Sequence, residues 1–198
     1  MESESLALFP LHTVLFPGGP LSLRIFEPRY LDMVRRSLKD GSAFGVLLII
    51  EGAEAGAISA VASCGTTARL VDFSQLPDGL LGISCLGERR FRVLRRWQQE
   101  DGLHLAEVTY LPEERALALP HEHARLGELL RELLPQLGSA YARIPSRYAD
   151  AGWVANRWAE LLPLPPASKL ALLELDDPLA RLAAVAELSA RQPPAAHV

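Results

Sequence analysis

Apolar and polar positions follow two different rhythms along this chain. As far as Leu111 they form short runs and period-two alternations; after Pro112 they recur at helical spacing. Residues 6–11 form an apolar run broken at Pro10, which lacks a ladder donor and so predicts an edge strand or a bulge. Val14 to Phe16 resume the strand, and Pro17-Gly18-Gly19-Pro20 turns it. Leu21, Leu23 and Ile25 alternate with Ser22 and Arg24, and Phe26 closes a strand buried on one face. Pro28 suits the first turn of a helix that carries Leu31, Val34 and Leu38, with Tyr30 beside them, as far as Asp40-Gly41. The stretch from Phe9 to Val34 therefore packs strand, tight turn, strand and helix into one unit.

Further strands follow. Residues 44–50 read as a continuous buried strand, 51–56 as a loop of small residues, and 58–62 and 65–76 as one or two more strands. Leu76-Pro77-Asp78-Gly79 is a turn, with proline presetting the entry and glycine supplying positive φ. Residues 80–86, 89–97 and 103–111 read as three strands joined by Gly87-Glu88 and Glu100-Asp101-Gly102, which predicts a meander or barrel rather than a parallel sheet. Beyond Pro112, Leu126, Leu129, Leu130, Leu133 and Leu134 make one helical stripe ended by Pro135. Trp153, Val154, Trp158, Leu161 and Leu162 make a second, stopped at Pro163. A third helix spans about 168–175, and Asp177 caps a last one that begins at Pro178. The expected class is α+β: a β-rich subdomain over 1–115 with one helix near 28–39, then a helical subdomain over 116–198 whose tail frays from about 191.

Composition narrows this picture only a little. The chain has 198 residues, 49% hydrophobic and 22% charged, with net charge −4, which offers no global attraction to nucleic acid or anionic membrane. Two cysteines, Cys64 and Cys85, have neither zinc spacing nor a disulfide pattern, and read as buried thiols. The N-terminus lacks a basic region and a long apolar run, and the longest apolar run is too short to span a bilayer, so a cytoplasmic protein is expected.

The segment LFPLHTVLFPGGPLSLRIFEPRYLDMV resembles the opening of the Lon protease N-terminal, substrate-binding domain. LVDFSQLPDGLLGISCLGERRFRVLR is similar to that family's hairpin, and NRWAELLPLPPASKLALLELDDPLARLAAVAEL to its helical portion. The resemblance implies a PUA-like β-barrel subdomain followed by an α-helical bundle. It also implies a non-catalytic role in protein quality control, recognising unfolded or exposed polypeptide segments beside a protease or ATPase partner. No Gly-x-x-x-x-Gly-Lys-Ser/Thr phosphate loop occurs, and adjacent Ser168 and Lys169 point about 100° apart on a helix, so they form no dyad. A stand-alone version of the domain is expected, without cofactor or metal.

Other chemistry is thin. His121 and His123 diverge on a helix; His12 reads as a hydrogen-bonded structural histidine; His104 alternates with leucines and is expected on the solvent face of its strand. No hydrolase elbow, zinc motif or dinucleotide fingerprint is present, so no enzyme is expected. For peptide binding the candidate is the strand-to-helix hinge: Phe26 and Tyr30 as aromatic anchors, Glu27 and Arg29 as charged contacts; the competing reading makes Phe26 and Tyr30 core and Glu27 and Arg29 a structural ion pair across the turn. The alternative is an RNA-binding module of the same fold. There Arg90, Arg92 and Arg96 would share one strand face and track phosphates, although Glu88, Glu100 and Asp101 flank them.

Overall fold

The computed structural model describes residues 3–54, 58–142 and 144–191. Two compact units emerge, Met1–Glu113 and Glu114–Val198. In the first, β1 (Glu4–Leu11), β2 (Pro20–Ile25), α1 (Pro28–Asp40), β3 (Phe44–Gly52), β4 (Ile58–Gln75), β5 (Leu81–Gln98) and β6 (His104–Tyr110) form one sheet in the order β2-β5-β4-β3-β1-β6. A further β5–β6 pairing closes β1, β3, β4, β5 and β6 into a ring, which leaves β2 hydrogen-bonded to β5 alone among the described strands. The α+β expectation and the barrel are realised, and closure pairs most of the ring, leaving among the described residues the edge of β2 and the ends of some ring strands, such as Arg69–Gln75 of β4, bonded on one side.

Several local expectations give way. β1 and β3 pair in parallel, inside an otherwise antiparallel sheet, because β2 and α1 return the chain to the same end before β3 begins. β1 is an inner strand; Pro10 is accommodated because β6 pairs only with residues 4–8, leaving β3 as the partner at Pro10. Val14 to Phe16 are buried but form no strand; the turn after them closes with Gly19 N–H donating to Phe16 O, and Gly18 takes φ 73°.

The pairs 58–62 with 65–76, and 80–86 with 89–97, are each one long bulged strand. Gly87 does not turn. β5 continues through it with a bulge against β4, and the Phe16 carbonyl oxygen takes the place a Cβ would need there. Glu51 and Gly52 belong to β3, and residues 55 and 56 of the expected loop lie outside the described residues.

Two cores lie on the two faces of the sheet. One gathers Phe9, Leu11, Phe44, Val46, Ile83 and Cys85 under Tyr30, Met33 and Val34 of α1. The buried stripe of α1 is thus Tyr30, Met33, Val34 and Ser37, while Leu38, which sequence spacing placed on it, is exposed. The other core joins Leu6, Leu8, Leu47, Phe91, Ala106 and Val108, all contributed by strands of the ring.

The second unit is helical: α2 (Ala124–Leu133), α3 (Ser139–Ala142), α4 (Ala151–Leu161), α5 (Pro166–Glu174) and α6 (Pro178–Arg191). α4 is its centre, with Trp153, Val154 and Ala155 packed among Leu130, Leu134 and Leu182. Asp150 caps it, accepting from the N–H groups of Gly152 (3.0 Å) and Trp153 (3.2 Å). Asp177 likewise accepts from Leu179 N–H at 3.0 Å ahead of α6. Of the tail expected to fray from about 191, Arg191 still belongs to α6, and residues 192–198 lie outside the described residues. No described helix is long and apolar enough to cross a membrane.

Candidate functional site

The hinge between β2 and α1 separates its four candidate residues. Strand alternation aims Ile25 into the core, so Phe26 faces outward and is 57% exposed. Glu27 precedes the helix, and its carboxylate takes a 2.7 Å ion pair from Arg29. The Arg29 guanidinium also donates to Gly102 O at 3.0 Å, which ties the hinge to the β5–β6 turn. Tyr30 corrects the expectation of an aromatic anchor at the surface. It is 3% exposed, its ring stacks on Phe9 with centroids 3.9 Å apart, and burial pushes its hydroxyl up to about 12. The physical reason is its position: one turn into α1, it begins the stripe that covers the sheet. Phe26 is therefore the one large apolar group that the hinge presents.

The arginine face dissolves. The register runs Val93↔Val108 and then Arg95↔Glu107, so Leu94 is an extra residue in a bulge. The bulge reverses the alternation. Arg92 stands opposite Thr109, but Arg96 stands opposite Ala106, on the side of the sheet that holds Val108. Arg90 is 5% exposed. Three arginines on one solvated face are thus not available to phosphates. Nearby basic groups are engaged as well: Arg69 with Glu88 at 2.5 Å, and Arg89 over the Tyr110 ring at 4.0 Å.

The histidines also depart from expectation. His104 is 6% exposed because it shares the inner face with Ala106 and Val108 and stands opposite Leu8. Burial, then Arg96 and Arg29, lower its pKa, which favours the neutral ring. The His12 side chain is exposed, and the hydrogen bond at this residue comes from its backbone N–H, to Glu54 Oε1 at 2.5 Å. His121 and His123 sit in one exposed to half-buried 3₁₀ turn, and no cluster of three metal-ligating side chains occurs among the described residues.

Sequence reasoning missed the ion networks of the helical unit. Arg181 is wholly buried, and its guanidinium forks onto Glu114 at 2.7 and 3.0 Å. It also donates to Asn156 Oδ1 (3.0 Å), Leu172 O (2.9 Å) and Leu175 O. Arg157, also buried, pairs with Glu160 at 2.6 Å, and Lys169 Nζ donates to Glu160 O at 2.6 Å. Lys169 is thereby a staple between α4 and α5. An arginine placed between Ala180 and Leu182 was the available signal, since a charge inside an apolar helix stripe demands a buried partner.

The family described as the ATP-dependent protease La (LON) substrate-binding domain matches residues 5–191. The chain belongs to that family. Among solved structures, the Lon N-terminal domain protein from Xanthomonas campestris is 40% identical, with a TM-score of 0.77 over 93% of this chain and 98% of that one. Lon protease 2 of Myxococcus xanthus is 26% identical over 96% of this chain and 24% of its own length. Protein cereblon of Xenopus tropicalis is 31% identical over 63% of this chain and 27% of its own. The chain spans about a quarter of the length of the curated relatives it matches. In this chain the matched domain is a strand-built barrel followed by helices.

Proposed function

We propose that this chain holds exposed or unfolded segments of other polypeptides and performs no chemistry on them. It would act in the cytoplasm as the recognition element for an ATPase or protease. The observation that carries this reading is the match to a substrate-binding domain across nearly the whole described chain. The hinge supports it with a specific group. Phe26 is a large aromatic side chain held in solvent at the end of a strand, beside a charged pair that is already neutralised. Such a group costs solvation and contributes little to its own fold, while an apolar segment would cover it. The RNA-binding alternative loses its main support with the division of Arg90, Arg92 and Arg96.

Binding of a reduced, carboxymethylated reporter protein tests this reading. The wild-type chain binds it, and the affinity changes little as salt is raised, because apolar burial rather than phosphate pairing drives capture. Phe26→Ala weakens capture about fivefold or more. Its melting temperature stays near that of the wild type, as befits an exposed side chain. Steep salt loss together with retention of RNA would overturn the reading.

A further inference from the structure

The five ring strands each have neighbours on both sides over part of their length, whereas β2 hangs on β5 from one side only throughout. The phase of that pairing fixes which backbone groups are free. Gly87 N–H donates to Gly19 O, and pairing then runs antiparallel through Leu21↔Cys85, Leu23↔Ile83 and Ile25↔Leu81. In an antiparallel ladder every second residue exchanges both bonds with its partner. Leu21, Leu23 and Ile25 therefore bond inward to β5, and Ser22 and Arg24 direct N–H and C=O away from it. Pro20, which has no N–H to offer, occupies an outward position where none is missed. Outside the β2–β5 ladder no backbone bond reaches Ser22 or Arg24 among the described residues, and both are exposed.

We propose that this free edge of β2 receives an extended segment of an unfolded polypeptide as an added antiparallel or parallel strand. The inference rests on the polypeptide-recognition reading and names its mode. Unpaired main-chain donors and acceptors at strand spacing fit one kind of occupant: another extended backbone. The side chains beside the edge specify it further. Phe73, Ile83 and Leu23 form one row across β4, β5 and β2, with Ile83 buried, Leu23 half-buried and Phe73 exposed. An added strand lengthens that row, so an apolar side chain at its matching position covers the open flank of Leu23. The neighbouring positions lie beside Ser22 and Arg24 and take polar residues. Arg24 is already paired with Asp78, which argues against a carboxylate as the principal determinant. The preferred client is thus a short stretch with apolar residues at alternate positions, and main-chain bonding makes recognition tolerant of which apolar residues they are.

Amide hydrogen exchange of the full chain, with and without the reduced, carboxymethylated reporter, tests the seat. Bound reporter slows exchange at Ser22 and Arg24 and leaves Leu21 and Leu23, already bonded to β5, nearly unchanged. Ser22→Pro removes one outward donor without touching the β5 ladder; it weakens reporter binding about fivefold to tenfold, the worth of one main-chain bond, while Ser22→Ala does not. Binding with no added protection at Ser22 and Arg24, or full binding by a folded Ser22→Pro chain, overturns strand addition and leaves polypeptide recognition standing. Failure of the wild-type chain to bind the reporter overturns both. Sedimentation supplies the last arm. Protection of Ser22 that depends on protein concentration without reporter would mean that a second copy fills the edge, and would also overturn the proposal.

Discussion

Tyr30 and Phe26 stand four residues apart, and their opposite fates decide what mutations at the hinge will do. Tyr30 lies under α1 on Phe9, and its hydroxyl is buried with no hydrogen-bond partner among the described residues. A buried hydroxyl without a partner is a net cost, so Tyr30→Phe should melt at or above the wild-type temperature. Tyr30→Ala empties the stack and should lose about 3–5 kcal/mol in denaturant unfolding. A marked loss in Tyr30→Phe would mean that the hydroxyl has a partner after all. Glu160 supplies a second residue-level test. Burial raises its carboxyl to about 7, against the opposing pull of Arg157, a hydrogen bond from it, Lys169 and Tyr141. The unfolded chain loses that proton near the ordinary carboxylate value while the folded chain keeps it. Stability from this group is full below the unfolded value and is lost as pH rises through the folded one. Melting temperature should therefore fall between about pH 4.5 and 7, and Glu160→Gln should flatten that slope; an unchanged slope would assign it to another group. The burial of Tyr30 was legible as one of two readings of the hinge, that of Glu160 not at all. Helical spacing brings Tyr30 near the apolar stripe, but only the sheet beneath decides whether it is covered, and nothing local announces that Glu160 will be enclosed.

At the scale of elements, most of the strands and helices were legible because period-two and helical patterns, turn residues and caps agreed with one another. The errors cluster where a glycine or an extra residue has two meanings. Gly87-Glu88 reads as a hairpin turn, yet β5 continues through it with only a bulge, and Leu94 bulges without any sequence mark and reverses the faces of Arg96 and Trp97. The two meanings of glycine predict different substitutions. Gly79 has φ 84° in open space, so Asn, which tolerates the left-handed region, should replace it with a loss of about 1 kcal/mol or less. Gly87 has extended geometry, and any Cβ there meets the Phe16 carbonyl. Gly87→Ala or Gly87→Asn should cost about 1–3 kcal/mol by forcing the Phe16–Gly19 turn away from β5. Thermal melts of the three variants check this, and equal tolerance of Asn at 79 and 87 would restore the turn reading of Gly87. Strand addition at β2 belongs to the same level, since its free edge follows from ring closure, a non-local fact that no window of sequence contains.

Across the whole molecule, the order of the three family-like segments carried the fold, because each lies in a different part of the architecture: β2 with α1, the β4–β5 hairpin, and α4 through α6. The dividing line was harder to place, since Glu113 and Glu114 are adjacent, similar and exposed to half-buried, yet engage different units. Glu113 lies 3.7 Å from Arg89 of the barrel strand β5, and Glu114 forks onto Arg181 of α6. Two charges enclosed in the helical unit are tolerable as a pair, whereas one alone is not, and loss of a single partner costs about 3–5 kcal/mol. Glu114→Ala in the full chain should therefore speed amide exchange throughout α4 and α6, because Asn156, Leu172 and Leu175 all meet the same guanidinium. Glu113→Ala, which removes an exposed and longer ion pair, should leave the same amides within about 0.5 kcal/mol of wild type. If both variants loosened α6 equally, the Arg181 cage would not be what fastens the helical unit. If Glu114→Ala instead opened β5 and β6, the unit boundary at 113–114 would be wrong.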